Sequence, residues 1–197
     1  IAGITVSYLN QPDLLSAVNW RVMLLVLLVG GPISVVLHAF EFMQSAKLIG
    51  KNITFVQALE VTVVGTAANV LPIPGAVLVR VASLKAAGAR YRDGIFAMFI
   101  ISAIWVGGSL TYAGAWLIAE QPNIWSISFF SIGLIVLIAT LVMASITKDS
   151  WRRPLVLLAI RMALIVVDAF QIFGCFLTLG VEVNFAQASV LVVTTVI

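Results

Sequence analysis

Long runs of apolar residues dominate this sequence, and one of them, residues 126–146, contains no ionisable side chain. An α-helix of about 20 apolar residues suffices to cross the hydrocarbon core of a bilayer. Strands of a transmembrane β-barrel alternate polar and apolar side chains, and these runs do not alternate. Charged residues make up 10% of the chain, against about 25% in soluble domains. We therefore predict an all-α, polytopic membrane protein.

The predicted spans cover residues 20–42, 94–119, 126–146 and 154–179, and residues 185–197 open a further apolar run. In the first span, Gly30-Gly31-Pro32 predicts a kink. The second span carries small residues at four-residue spacing, a pattern that lets two helices approach closely: Ala103, Gly107, Thr111 and Ala115. The sequence starts without methionine and stops inside an apolar run, so we expect residues 1–197 to be a single membrane domain cut at both ends.

The sequence Leu-Pro-Ile-Pro-Gly at residues 71–75 interrupts the apolar segment 54–89. Each proline lacks an N–H and clashes with the preceding turn, so neither fits inside an undisturbed helix. Pro72, Pro74 and Gly75 are therefore predicted to form a structural break between two shorter helices, residues 55–71 and 76–87.

Basic loops set the expected orientation, because Lys and Arg concentrate in loops on the cytoplasmic side of a membrane. If residues 54–89 crossed the membrane once, the loops that hold Lys47 and Arg90 would face opposite sides. If the segment enters and returns, every basic loop lies on one side, and the loops at Glu120 and Glu182, which have no base, lie on the other. We predict a broken, re-entrant helical hairpin. The alternative is a single span followed by an interfacial helix.

Polar side chains inside the apolar segments are candidate binding residues, because such groups are costly in a membrane and commonly functional. Arg80 follows the break by about one and a half helical turns, where a helix N-terminus and a cation together favour a phosphate or carboxylate. An ion pair of Arg80 with Glu60 or Asp168 would instead be purely structural, and both readings stay open. The candidate substrate-binding residues are Arg80, Lys85, Asn69, Glu60, Arg161 and Asp168.

Helical periodicity limits which of these candidates lie together. Arg161 and Asp168 share one helix face but are about 10 Å apart along the axis, so each is expected to pair with another helix. Glu60 and Asn69 are nine residues apart and point to nearly opposite sides of their helix, so we do not expect them to share a site.

The chain has one histidine, His38, three residues before Glu41 near the end of the first span. We interpret this pair as lying in water at the membrane interface, with a proton-linked pair as the alternative. His, Cys and carboxylate residues are not clustered at metal-ligand or catalytic spacing, so no metal or cofactor is predicted and enzymatic activity is disfavoured. The net charge of +3 does not suggest a nucleic-acid partner.

The run Asn69-Val-Leu-Pro72, followed by Arg80, Leu84 and a turn centred on Gly88, resembles the membrane (flippase) domain family of lysylphosphatidylglycerol synthases and its stand-alone relatives. The order of spans over most of the chain is also similar to that family.

Three positions depart from the family pattern. In the family an arginine often follows the first proline by two residues, and a glycine–glutamate pair precedes the later arginine. Here these positions hold Pro74, Ala76 and Val77. Because a cation and an acid are missing, a close copy of the family's lysyl-lipid site is not implied.

The resemblance implies lipid handling in a bacterial or archaeal cytoplasmic membrane, with flipping or transport of a polar-headed phospho- or glycolipid. The implied partners are membrane lipids with anionic headgroups, and self-association is a further expectation. Arg80 would hold the headgroup phosphate, Lys85 would draw in anionic lipid, and Arg161 and Asp168 would line the cavity. The alternatives are a membrane platform of a lipid-modifying enzyme and a structural membrane scaffold.

Overall fold

The computed structural model of this chain describes residues 18–69, 74–148 and 151–196. The described chain folds into seven helices in the order α1 Trp20–Leu48, α2 Phe55–Ala68, α3 Gly75–Ala86, α4 Tyr91–Glu120, α5 Ile124–Lys148, α6 Arg152–Thr178 and α7 Phe185–Val190, the last followed by a 3₁₀ segment at Leu191–Val196. Four of these helices, α1, α4, α5 and α6, are long and apolar enough to cross a membrane. The protein is an all-α, polytopic integral membrane protein, as predicted.

Helix α1 contains a π-helical segment at Val26–Gly30, directly before Pro32. A proline cannot donate to the preceding turn, and a π-bulge is one of the usual ways in which a helix absorbs that disruption. The irregularity lies where a kink was predicted. The helix then continues to Leu48, six residues beyond the predicted end of the span, so Glu41 lies about two turns inside it.

Helices α2 and α3 form an antiparallel hairpin. Near its tip, a Cβ placed on Gly65 of α2 would lie 3.4 Å from the Cα of Ala76 at the start of α3. At the opposite end, a Cβ on Gly88 would lie 3.4 Å from the Nζ of Lys51. The chain therefore enters along α2 and returns along α3 to the level where it started, which confirms the predicted hairpin.

Side-chain caps begin both limbs of the hairpin. The Thr54 hydroxyl accepts a hydrogen bond from the Gln57 N–H, and the Gln57 side chain accepts one from the Thr54 N–H, so α2 starts with a capping box. At the tip, the Asn69 Oδ1 accepts a 2.9 Å hydrogen bond from the Ala76 N–H in the first turn of α3. The break at Pro74 and Gly75 falls at the start of α3, whereas Pro72 lies outside the described residues.

The hairpin is too short to cross the membrane. Its first limb has 14 residues and is about 21 Å long, whereas the 30 residues of α4 extend about 45 Å. The tip residue Val77 lines the same cavity as Trp105, which lies 14 residues into α4 and thus near its middle. The start of α3 therefore lies at a cavity inside the helix bundle.

Helix α5 packs along α4 through small residues. A Cβ on Gly107 of α4 would lie 3.0 Å from the Gly133 carbonyl oxygen of α5, and a Cβ on Gly133 would lie 2.5 Å from the Thr111 nitrogen. The predicted small-residue packing face is confirmed at Gly107 and Thr111, whereas Ala115 is exposed. Most of the span Ile124–Ile146 of α5 is not buried against the other helices, in agreement with the lack of ionisable residues between 126 and 146.

Helices α1 and α6 run antiparallel along the whole length of the bundle. At one end the Arg153 side chain donates a hydrogen bond to the Lys47 carbonyl oxygen. At the other end the Asn19 N–H donates a 2.9 Å hydrogen bond to the Thr178 carbonyl oxygen. This pairing aligns the polar side chains in the middle of the two helices and positions the site described next.

Candidate functional site

A cavity of about 700 Å³ lies between the hairpin and the helices α1, α4 and α6. Its volume is within the range of about 300–1,000 Å³ that is typical of small-molecule sites. The hairpin, α4 and the α1–α6 pair each contribute polar side chains to its wall. The polar lining residues are His38, Thr62, Thr66, Asn69, Arg80, Ser102, Trp105, Arg161, Asp168 and Gln171.

Arg80 extends from α3 to the wall of this cavity. Its guanidinium carbon lies 5.8 Å from the centroid of the Phe42 ring, and its Nε is buried without a hydrogen-bond partner among the residues that the structure describes. Among the described residues, no carboxylate oxygen lies within 4.0 Å of its side-chain nitrogens. The alternative ion pairs of Arg80 with Glu60 or Asp168 are therefore not formed, and its charge is not neutralised by direct contact.

Arg161 of α6 forms a buried ion pair with Glu41 of α1, and each side chain is 2% exposed. The Arg161 guanidinium carbon also lies 5.2 Å from the centroid of the Trp105 ring on α4. The prediction that Arg161 pairs with another helix is confirmed. Because each charge compensates the other, this pair contributes little net charge to the cavity wall.

His38 shares the carboxylate of Glu41 with Arg161. The His38 Nδ1 lies 3.5 Å from the Glu41 Oε2, while Arg161 contacts the other carboxylate oxygen. The interpretation of His38 and Glu41 as a pair in interfacial water is wrong, because Glu41 is only 1% exposed. The longer α1 and the packing of α6 against it place this carboxylate inside the bundle.

Asp168 lies about two helical turns from Arg161 on the same face of α6. It lines the cavity and is partly buried. Within the part of the chain that the structure describes, no basic side chain lies within 4.0 Å of its carboxylate. The prediction that Asp168 forms an ion pair with another helix is therefore not met. Its carboxylate is a hydrogen-bond acceptor on the cavity wall.

Of the remaining candidate binding residues, Asn69 lines the cavity, where its side chain also caps α3. Glu60 is exposed and lies at a separate cleft of about 250 Å³ with Gln57 and Ser83. The prediction that Glu60 and Asn69 occupy different sites is confirmed. Lys85 is exposed in the last turn of α3 and does not line the cavity.

Several residues of the site were not among the predicted binding residues, and two of them are Trp105 and Glu41. The indole Nε1 of Trp105 is buried without a hydrogen-bond partner in the described ranges. The sequence carried a signal for this residue, since tryptophans of membrane proteins concentrate at the interfaces and Trp105 lies in the middle of its span. Glu41 carried no such signal, because its depth depends on where α1 ends.

The site combines one cation without a contacting carboxylate, a compensated ion pair, a histidine and an acid. Such a wall can hold an anionic group at Arg80 and a hydroxyl or ammonium group at Asp168. Among the described residues, no group of three or more His, Cys, Asp or Glu side chains is placed to hold a metal ion.

No protein-family model, curated protein or solved structure matches this chain. What the site does must therefore be inferred from its own side chains and from their position in the bundle.

Proposed function

We propose that this integral membrane protein moves polar-headed lipids, in particular lipids with an anionic phosphate headgroup, across a bacterial or archaeal cytoplasmic membrane. The observation that carries this proposal is the position of Arg80. Its guanidinium lies at a cavity inside the bundle, on the second limb of the α2–α3 hairpin, without a carboxylate partner among the described residues.

A lipid cannot cross a bilayer quickly by itself, because its headgroup must leave water and enter hydrocarbon. A polar cavity removes that barrier if its side chains replace the hydrogen bonds that the headgroup makes to water. The volume of about 700 Å³ suits a headgroup, while the acyl chains stay in the surrounding lipid. The half-length hairpin supports this role, since broken helices commonly form transport sites near the bilayer midplane.

Arg80 is suited to a phosphate because a guanidinium offers paired donors that match phosphate oxygens. The N-terminus of α3 lies about one and a half turns away and adds a partial positive charge. Asp168 provides an acceptor for a hydroxyl or ammonium group on the same headgroup. Lys85, exposed in the last turn of α3, would attract anionic lipid at the membrane surface.

The resemblance of residues 69–88 to the flippase domain of lysylphosphatidylglycerol synthases supports the same function. Arg80 of this run lines the cavity, and Leu84 is fully buried against α4 near Gly94. The run thus combines a residue of the candidate site with a residue that fixes the hairpin on its neighbour.

The proposal is tested by measuring lipid movement in reconstituted vesicles. Purified protein is placed in phosphatidylcholine vesicles that contain a trace of acyl-chain-labelled phosphatidylglycerol, so that the headgroup is unmodified. Dithionite added outside bleaches the label in the outer leaflet and then follows lipid that arrives from the inner leaflet. Wild-type protein should bring the inner-leaflet lipid out faster than protein-free vesicles do.

The variant Arg80→Ala should lose most of this movement while it still folds and inserts, which circular dichroism and gel filtration check. If wild-type protein and protein-free vesicles expose the lipid at the same rate, the proposed function fails. A structural scaffold predicts a different result, namely that Arg80→Ala and the wild type behave alike.

A further inference from the structure

His38 connects the buried Glu41–Arg161 pair to the cavity. Its imidazole lines the cavity wall and is 30% exposed, whereas the Glu41 side chain is 2% exposed. The Nδ1 of His38 and the Oε2 of Glu41 are 3.5 Å apart, yet neither atom has a hydrogen-bond partner in the described part of the chain. A proton on the Nδ1 of His38 would lie next to the Oε2 of Glu41, which can accept a hydrogen bond from it.

The register of α1 against α6 shows how deep His38 lies. Glu41 pairs with Arg161, and a Cβ on Gly30 would lie 3.0 Å from the Gln171 side chain. His38 is therefore level with the stretch of α6 between Arg161 and Gln171. That stretch is inside a membrane span, so the imidazole is far from both ends of the bundle.

Four other charged side chains surround His38. Glu41 is buried beside it on the same helix, whereas Arg161 and Asp168 of α6 and Arg80 of α3 line the cavity. The described residues by which α2 and α4 line the cavity are uncharged. A proton taken up by His38 therefore changes the charge of a cluster with two cations and two acids, and it does so at the place where a headgroup would bind.

We propose that His38 binds one proton and releases it on the opposite side of the membrane in each transport cycle, so that an anionic lipid and a proton move together. This inference rests on the proposed function. The proton adds to the unprotonated ring nitrogen and gives an imidazolium, and on release it returns to water. Chains of buried acids and histidines serve as proton paths in other membrane transporters, and histidine changes its charge within the physiological pH range.

The charge balance explains why the two movements would be linked. Imidazolium at His38 gives Glu41 a second cationic partner and adds one positive charge to the wall that holds Arg80. An anionic headgroup is then bound more favourably, and lipid plus proton cross as a neutral pair. Release of the proton removes that charge and favours release of the headgroup.

The linkage is tested by the steady-state distribution of the labelled phosphatidylglycerol. Vesicles are given an interior that is one pH unit more alkaline, with the membrane potential clamped by valinomycin and potassium. For one proton per lipid, this gradient sustains an inner-to-outer ratio of about tenfold. The ratio should return to one when nigericin removes the gradient.

His38→Gln keeps a polar side chain of similar size but cannot take up the proton, so its ratio should stay at one with the gradient present. The control is Trp125→Phe on the exposed end of α5, where Trp125 is 73% exposed, and this variant should behave as the wild type. The inference is overturned if wild-type protein that speeds lipid movement gives equal leaflets under the gradient, or if His38→Gln still concentrates the lipid.

Nuclear magnetic resonance tests proton binding without any transport assay. Because the chain has one histidine, ¹⁵N-histidine labelling gives signals from His38 alone. The signals should change from neutral imidazole to imidazolium between about pH 8 and pH 5. A His38 that keeps one protonation state over this range overturns the inference. If His38 changes its protonation state as expected but no vesicle shows lipid movement, the proposed function is overturned instead.

Discussion

Arg161 and Glu41 form an ion pair between α6 and α1 in which each side chain is 2% exposed. The pair joins the two helices about two turns from the end of α1 at Leu48, and it occupies the Glu41 carboxylate. Arg80 is thus left at the cavity without a contacting acid among the described residues. Arg161 therefore has a structural role, and Arg80 has the proposed functional role.

Removal of one partner of this ion pair should destabilise the protein strongly. Glu41→Gln leaves the Arg161 guanidinium buried without a counter-charge, which typically costs about 3–5 kcal/mol. The double variant Glu41→Leu/Arg161→Leu removes both charges and should recover most of this loss. The free energy of unfolding of the wild type, the single variant and the double variant is measured by circular dichroism in mixed detergent micelles. A single variant as stable as the wild type would contradict the buried pair.

The tip of the hairpin should not tolerate a side chain at Gly75. A Cβ there would overlap the carbonyl group of Ala68 at the end of α2, so the two limbs would have to separate. We expect Gly75→Ala to lower the free energy of unfolding by about 1–3 kcal/mol and to reduce lipid movement.

Gly31→Ala is the matched control, because a Cβ on Gly31 meets nothing within 4 Å. It should change the free energy of unfolding by no more than about 1 kcal/mol. Equal effects of the two substitutions would show that the limbs do not pack closely at the tip.

The hairpin places residues before α2 and after α3 on one side of the membrane. In a Cys175→Ser background, single cysteines at Lys47 and Arg90 should react with a membrane-impermeant maleimide from the same side of sealed, oriented membranes. A cysteine at Asn123, in the loop after α4, should react from the other side. If the cysteine at Arg90 reacted together with the one at Asn123, residues 54–89 would have to cross the membrane once.

The native Cys175 offers a way to obstruct the cavity, because it lines the wall and is exposed. Attachment of a bulky maleimide to its thiol should reduce lipid movement to the rate of protein-free vesicles. Cys175→Ser, compared before and after exposure to the same reagent, should show no change. Undiminished movement after complete labelling of Cys175 would mean that the lipid does not pass through this cavity.

Much of the fold could be predicted because its determinants are local. Two prolines break a helix wherever they occur, and the distribution of basic loops has one consistent solution. The outcome is the α2–α3 hairpin, with its tip beside Arg80. The pairing of Arg161 with another helix was also predictable, since a buried guanidinium needs a counter-charge and Asp168 is too far along the same helix.

The position of individual acids could not be predicted, because it depends on which side of a helix meets its neighbours. Glu60 lies in an apolar segment but is exposed at the cleft that α2 and α3 form together with Ser83. Glu41 looked like an interfacial residue because the apolar pattern of α1 fades near residue 42, although the helix continues to Leu48. Its partner Arg161 is 120 residues away in the sequence, so no local pattern joins them.

The most direct test of the account compares two variants that remove the same charge from α3. Arg80→Gln changes the cavity wall, whereas Lys85→Gln changes an exposed residue five positions later. With labelled phosphatidylglycerol in vesicles, loss of the charge-assisted hydrogen bonds of Arg80 should slow lipid movement by about tenfold to a hundredfold, and Lys85→Gln should retain most of the wild-type rate. Equal rates for the two variants would contradict the account.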